Sequence, residues 1–135
     1  MNLVSWNCRG LGGNQKVEAI KRFKFSEKIS ILTIQETKLQ EEDSLVVIKK
    51  FWKNGKCKVV SAQGASGGML IGWDKNLFKF KSAIENHHCL FVELECLKTQ
   101  EIYWIGNVYG PTIHGAKEEF WTQLKQQRHR KMQLP

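Results

Sequence analysis

Hydrophobic and polar positions in the first half of the chain alternate between strand-like and helix-like patterns. Residues 3–7 form a mostly apolar run with a polar end, and SILTIQE, residues 30–36, has the same form. Between them, a helix is predicted to start at Asn14 as its N-cap, because apolar residues then recur at helical spacing. The apolar face of this helix consists of Val17, Ile20 and Phe23. The order predicts a β-α-β unit with two parallel strands.

The pattern then predicts a second helix followed by short strands. Residues 43–52 carry Leu45, Ile48 and Trp52 at helical spacing. After them, alternation of apolar and charged residues indicates strands with one buried face. The strand segments are KVVSA (58–62), GGMLIGW (67–73), LFKFKSAI (77–84), CLFVELEC (89–96) and EIYWIGNVY (101–109). We expect an antiparallel meander, and then a helix from His114 with Ala116, Phe120, Trp121 and Leu124 on one face.

Polar residues end the two predicted parallel strands. Asn7 ends the first strand and Glu36 the second. The carboxyl ends of neighbouring parallel strands open on the same edge of a sheet, so these side chains are expected to meet there. An amide oxygen and one carboxylate can hold Mg²⁺ together with water and a phosphate. The same two residues are also compatible with an ordinary turn and a solvated strand end.

A third strand has the same design, because GNVYGPT, residues 106–112, carries Asn107 and Tyr109 into a Gly-Pro turn. In this order, SWNCRG, IQETK, SGGMLIGW and NVYGP resemble the endonuclease/exonuclease/phosphatase superfamily, in particular the apurinic-type endonuclease domain of plant LINE-type (non-LTR) retrotransposons. The resemblance covers residues 1–127 and leaves residues 128–135 as a divergent basic tail. It implies an α/β fold, the N-terminal portion of a four-layer α/β sandwich, truncated before the second half.

The resemblance also implies an activity, the hydrolysis of phosphodiester bonds in DNA with Mg²⁺ or Mn²⁺. Glu36 matches the metal-binding glutamate, Asn7 the asparagine that hydrogen-bonds around it at the metal, and Tyr109 the tyrosine that contacts the scissile phosphate. Arg9 and Lys38 stand beside these positions, where they either contact flanking phosphates or are solvated surface residues. In the ancestor, a reverse transcriptase domain would use the nicked DNA.

Two further motifs of the superfamily do not occur in this sequence. One is an Asp-x-Asn loop that activates the attacking water, and the other is an Asp-His pair whose histidine contacts the phosphate. Residues 74–76 spell Asp-Lys-Asn, but they lie between two predicted strands, where these residues favour a turn. His87 and His88 precede a strand and have no acidic partner at a recognisable spacing, and His129 lies in QQRHRKMQLP, which no longer resembles the superfamily.

These departures predict a fragment of a metal-dependent DNA endonuclease that is catalytically incomplete and binds metal weakly. The alternative is a basic module that binds nucleic acid without catalysis. We also expect the chain to leave one face of its sheet open to water, because the superfamily covers it with a second sheet from the C-terminal half. Exposing even a few hundred Å² of apolar surface forgoes several kcal/mol at about 25 cal/mol per Å², so stability is expected to be marginal.

Composition and charge agree with this interpretation without requiring it. The net charge of +8 fits a polyanionic partner such as DNA, and it also fits lysines scattered for solubility. No apolar run approaches the roughly 18 residues that span a bilayer, and no basic segment precedes an apolar one at the N-terminus. The four cysteines lack C-x-x-C spacing, which favours a reducing compartment. The sequence therefore predicts an intracellular protein, nuclear or cytoplasmic, without a membrane anchor.

Overall fold

Seven strands and two helices make up the part of the chain that the computed structural model describes, residues 2–64 and 66–108. In chain order they are β1 (Leu3–Asn7), α1 (Asn14–Glu27), β2 (Ile31–Gln35), α2 (Glu41–Phe51), β3 (Gly55–Val60), β4 (Met69–Asp74), β5 (Phe78–Asn86), β6 (Cys89–Cys96) and β7 (Ile102–Val108). Tyr109 and the helix predicted from His114 lie outside the described residues.

The first sheet contains four strands in the order β1-β2-β4-β3. β1 and β2 are parallel, with Asn7 beside Gln35, which confirms the predicted β-α-β unit. β4 runs antiparallel to both β2 and β3. β2 and β4 occupy the centre because nearly all their residues are apolar, which suits strands that are buried on both faces.

The second sheet contains β5, β6 and β7 as an antiparallel meander. The meander expected for all the later strands is therefore restricted to these three, since β3 and β4 join the first sheet. Alternation shows which residues of a strand share a face, but it does not show which neighbour the strand pairs with.

Two apolar clusters hold the layers together. One lies between the first sheet and the helices and includes Leu32, Ile34 and Trp52. The other lies between the two sheets and contains Ile31, Ile71, Trp73, Phe78, Leu90, Val92, Leu94 and Ile105. The expectation of a sheet face left open to water is thus wrong for β2 and β4, because β5, β6 and β7 already form a second sheet over it. Among the described residues, no strand of the second sheet covers β1 on this side, where Leu3 is 45% exposed.

The helices begin close to the predicted residues. α1 starts at Asn14 itself, and Gly13 takes the N-cap position that was predicted for Asn14. Val17 and Ile20 are buried as expected, whereas Phe23 is 46% exposed. α2 starts at Glu41, two residues before the predicted start at residue 43. Its first turn contains three acidic residues, which interact favourably with the helix dipole. Neither helix is long and apolar enough to cross a membrane among the residues described.

Candidate functional site

The ends of several strands meet at one edge of the molecule, which we call the rim. Asn7, at the end of β1, pairs with Gln35, and Glu36 follows directly. Met69 of β4 also pairs with Gln35, so the β3–β4 connection reaches the same edge. The rim therefore carries the predicted pair Asn7 and Glu36 on adjacent strand ends, as the β-α-β pattern requires.

The second sheet reaches the rim through Asn107 near the end of β7. Its Nδ2 donates hydrogen bonds to the backbone oxygens of Ile34 (2.9 Å) and Leu70 (3.3 Å), which belong to the first sheet. Val108 pairs with Cys89, so the β5–β6 turn lies at the same edge. The rim is thus built from both sheets.

Main-chain hydrogen bonds fix the loop that follows β2 from both sides. On one side, the Gly10 N–H donates to the Glu36 carbonyl oxygen at 2.7 Å. On the other, the Thr37 N–H donates to the Gly68 oxygen at 3.1 Å. Gly68 has φ +89°, and a Cβ at this position would overlap Thr37 Oγ1, so the close approach requires glycine.

Three residues of these loops have left-handed backbone conformations. Arg9, Glu36 and Lys38 have φ values of 50°, 56° and 57°. Residues other than glycine rarely adopt this backbone conformation. Those that do cluster at functional sites, where the surrounding structure holds them in place. The left-handed turn at Glu36 interrupts the strand alternation where the predicted metal ligand stands.

A polar network beneath the rim was not predicted. Gln35 Nε2 donates to Asn107 Oδ1 at 2.6 Å and to Ser5 Oγ at 3.1 Å. Asn107 is 1% exposed, and its amide thereby joins both sheets. Alternation along β7 was the one indication in the sequence that Asn107 is buried, because Tyr103, Ile105 and Asn107 share one face of the strand.

Cys8 and Lys16 support the loop after β1. Burial raises the pKa of the Cys8 thiol, whose Sγ lies 3.5 Å from the backbone oxygens of both Gln35 and Glu36. Lys16 Nζ donates to the backbone oxygens of Cys8 (2.7 Å) and Arg9 (3.1 Å). Cys8 is therefore a buried structural thiol that contacts the rim from below.

The donor set suits a hydrated divalent ion better than a closed protein cage. Glu36 is half-buried and Asn7 is exposed, so water and a phosphate can reach both. Within residues 2–64 and 66–108, no three His, Cys, Asp or Glu side chains are grouped to hold a metal. Mg²⁺ commonly takes only one or two carboxylates and completes its shell with waters and substrate phosphates, so one carboxylate is compatible with such a site.

The Asp-Lys-Asn segment lies at the end of the strands opposite the rim, which we call the far edge; Asp74 pairs there with Gly55. The Asn76 N–H donates to Asp74 Oδ1 at 2.8 Å, and the Leu77 N–H donates to the Asp74 carbonyl oxygen at 3.1 Å. The predicted turn is confirmed, and this carboxylate cannot serve the rim.

Two histidines of the β5–β6 turn reach the rim, a placement that the sequence did not predict. His87 Nδ1 lies 2.7 Å from Gln63 Nε2 of the β3–β4 connection. The His88 N–H donates to Asn86 Oδ1 at 2.8 Å, which forms the turn. Both imidazoles are exposed, so they add polar surface beside the strand ends.

No family model and no curated protein matches this chain. Among solved structures, it is similar to the 3′ phosphatase NExo from Neisseria bound to a product DNA hairpin, with 15% identity over 98% of this chain and 52% of that chain and a TM-score of 0.66. It is similar to the AP endonuclease LMAP from Leishmania major, with 16% identity over 88% and 43% of the two chains and a TM-score of 0.63.

A third structure is described as the endonuclease/exonuclease/phosphatase from Bacteroides vulgatus, with 10% identity over 78% of this chain and 50% of that chain and a TM-score of 0.60. The chain thus spans about half the length of the structures it resembles. These likenesses show an α/β fold of the endonuclease/exonuclease/phosphatase type, of which this chain forms a part.

Proposed function

We propose that the rim is the metal-binding and phosphate-binding part of a phosphodiester hydrolase site that acts on DNA, of the LINE-type endonuclease class. The observation that carries this proposal is the parallel register of β1 and β2, which puts Asn7 beside the Gln35–Glu36 strand end. The fold supports it, because one similar structure is an AP endonuclease and another holds a product DNA hairpin.

Each residue has a defined task in this proposal. Glu36 would hold Mg²⁺ or Mn²⁺ by its carboxylate, and Asn7 would hydrogen-bond around that carboxylate and complete the site. The bound ion supplies electrostatic stabilisation for the charge that develops on the phosphate oxygens. Tyr109 would donate its hydroxyl hydrogen to the scissile phosphate, while Arg9 and Lys38 would neutralise flanking phosphates.

Residues 1–135 are proposed to bind DNA without cleaving it at a measurable rate. Hydrolysis needs a group that takes a proton from water, and the nearest Asp-x-Asn sequence closes a turn at the opposite edge. Losing a positioned general base costs about 10²- to 10⁴-fold in rate. A purely nucleic-acid-binding role is the second candidate, which the net charge of +8 favours.

A DNA-binding titration with and without Mn²⁺ tests the site independently of turnover. We expect Mn²⁺ to strengthen binding of a labelled duplex by the wild-type chain but not by Glu36→Gln. Glu18→Gln, an exposed change on α1, is the matched control and should behave as the wild type. Equal Mn²⁺ effects in wild type and Glu36→Gln would contradict the hydrolase assignment and favour the basic module.

A plasmid assay tests the proposed incompleteness. Supercoiled DNA incubated with the chain in Mg²⁺ or Mn²⁺ should not be nicked above the background rate. Nicking that Glu36→Gln abolishes would keep the hydrolase assignment but overturn the claim that residues 1–135 lack the groups for turnover.

A further inference from the structure

A groove of about 390 Å³ runs along β3, which lies at the edge of the first sheet. β5 of the second sheet lies over β3, so the groove opens between the two layers. Three lysines and two aromatic residues make up more than half of its lining, and α2 contributes apolar side chains as well. The side chains that matter are Lys49, Lys56, Lys58, Trp73 and Phe80.

An aromatic ring is held in place at this groove. Phe80 stacks on Trp73 with ring centroids 5.7 Å apart and an interplanar angle of 12°. Trp73 is 3% exposed, whereas Phe80 is 41% exposed. Trp73 therefore supports the Phe80 ring from the core and leaves part of it accessible to a ligand.

Two of the lysines lie on the same side of the sheet as this ring. Lys56 pairs with Trp73 and Lys58 pairs with Ile71, and paired residues of adjacent strands share a face. Lys49, in the last turn of α2, lines the groove from the helix layer on the other side of the edge strand β3. In the part of the chain that the structure describes, none of the three forms an ion pair, and no carboxylate lines the groove. The groove therefore combines positive charge with an exposed aromatic ring.

We propose that this groove binds single-stranded nucleic acid, with a base stacked on Phe80 and phosphates held by Lys56 and Lys58. Aromatic rings inside a basic groove bind single strands because every unpaired base offers a face for stacking. Base pairs within a duplex hide those faces, so a duplex would gain only the phosphate contacts. Trp73 is four residues along β4 from Met69 at the rim, or about 13 Å at 3.3 Å per residue. The inference goes beyond the proposed function and uses none of its residues.

Salt-dependent binding of a labelled oligothymidine tests the lysines. Two phosphate contacts contribute about 1.4 to the slope of log K against log salt for a single strand, at 0.7 each. Lys56→Gln/Lys58→Gln should therefore reduce the slope by about this amount. Lys21→Gln/Lys98→Gln makes the same change in charge at exposed positions away from the groove and should leave the slope unaltered. Equal slopes for both double variants would overturn the proposal.

Phe80 tests the stacking. Phe80→Leu should weaken single-strand binding by about 5-fold or more, the lower end of stacking effects, and leave binding of a blunt duplex unchanged. Phe80→Tyr keeps the ring and should bind as the wild type, and thermal unfolding checks that both variants fold. Equal losses for single strand and duplex, or none for Phe80→Leu, would overturn the proposal. These measurements are made in EDTA, where the Mn²⁺-dependent binding proposed for the rim makes no contribution, so failure of the hydrolase assignment is distinguishable from failure here.

Discussion

The strands of the first sheet carry similar polar residues at their two ends, the rim and the far edge, but the loops at these two ends are held in different ways. At the far edge, the Asp74 carboxylate accepts the Asn76 N–H and thereby forms its own turn. At the rim, main-chain bonds to Gly10 and Gly68 fix the loop that contains Glu36. The Asp74 carboxylate itself closes the turn at the far edge, whereas main-chain groups hold the loop that carries Glu36 at the rim. This difference separates the turn from the candidate site.

The largest expected effect comes from Gly68, because the rim depends on its lack of a side chain. Gly68→Ala should lower the free energy of unfolding by about 3 kcal/mol, from overlap with Thr37 and a left-handed backbone. Gly67→Ala is the matched control, since its φ is +76° but nothing lies within 4 Å of the added Cβ, and it should cost about 1 kcal/mol. Equal losses in urea denaturation would show that the close approach to Thr37 does not matter.

Asn107 should have the next largest effect, because it joins the two sheets beneath the rim. Asn107→Ala removes a buried amide that bonds Gln35, Ile34 and Leu70, and should cost about 2 kcal/mol of unfolding free energy. Asn76→Ala at the far edge should cost almost nothing, since the turn there uses its backbone N–H. If chemical denaturation gives the two variants the same stability, the polar link between the sheets is not a significant part of the fold.

A smaller effect is expected at the far edge itself. Asp74→Ala removes the acceptor of the Asn76 N–H and should lower the unfolding free energy by about 1 kcal/mol. Lys75→Ala, in the same turn, should leave stability unchanged. If Asp74→Ala unfolds at the same temperature as the wild type, the carboxylate is not needed for the turn, and the contrast between the two edges is lost.

The sequence predicted local elements and their polar ends more completely than the arrangement of the sheets. The apolar runs of β1 and β2 and the helical spacing between them imply one right-handed crossover, so the neighbouring positions of Asn7 and Glu36 followed. The pairing of β4 with β2 did not, because a strand buried on both faces carries no alternation to show its neighbour. The second sheet was therefore unexpected within this part of the chain.

The network beneath the site was also missed for a physical reason. Gln35 and Asn107 are 72 positions apart, and a hydrogen bond between sheets depends on how the layers stack. Alternation could place Asn107 on the inner face of β7, but it could not identify Gln35 as its partner. Tyr109, the third predicted site residue, lies outside the described residues and stays a prediction.

The most direct test of the account is Mn²⁺ binding measured by electron paramagnetic resonance of the free ion. Glu36→Gln and Asp74→Asn each remove one carboxylate charge, one at each edge of the sheet. We predict that Glu36→Gln weakens Mn²⁺ binding by about tenfold or more, because ligand charge sets the affinity of such sites, and that Asp74→Asn binds as the wild type. Equal Mn²⁺ affinity in the wild type and Glu36→Gln would contradict the assignment of the rim as a metal site.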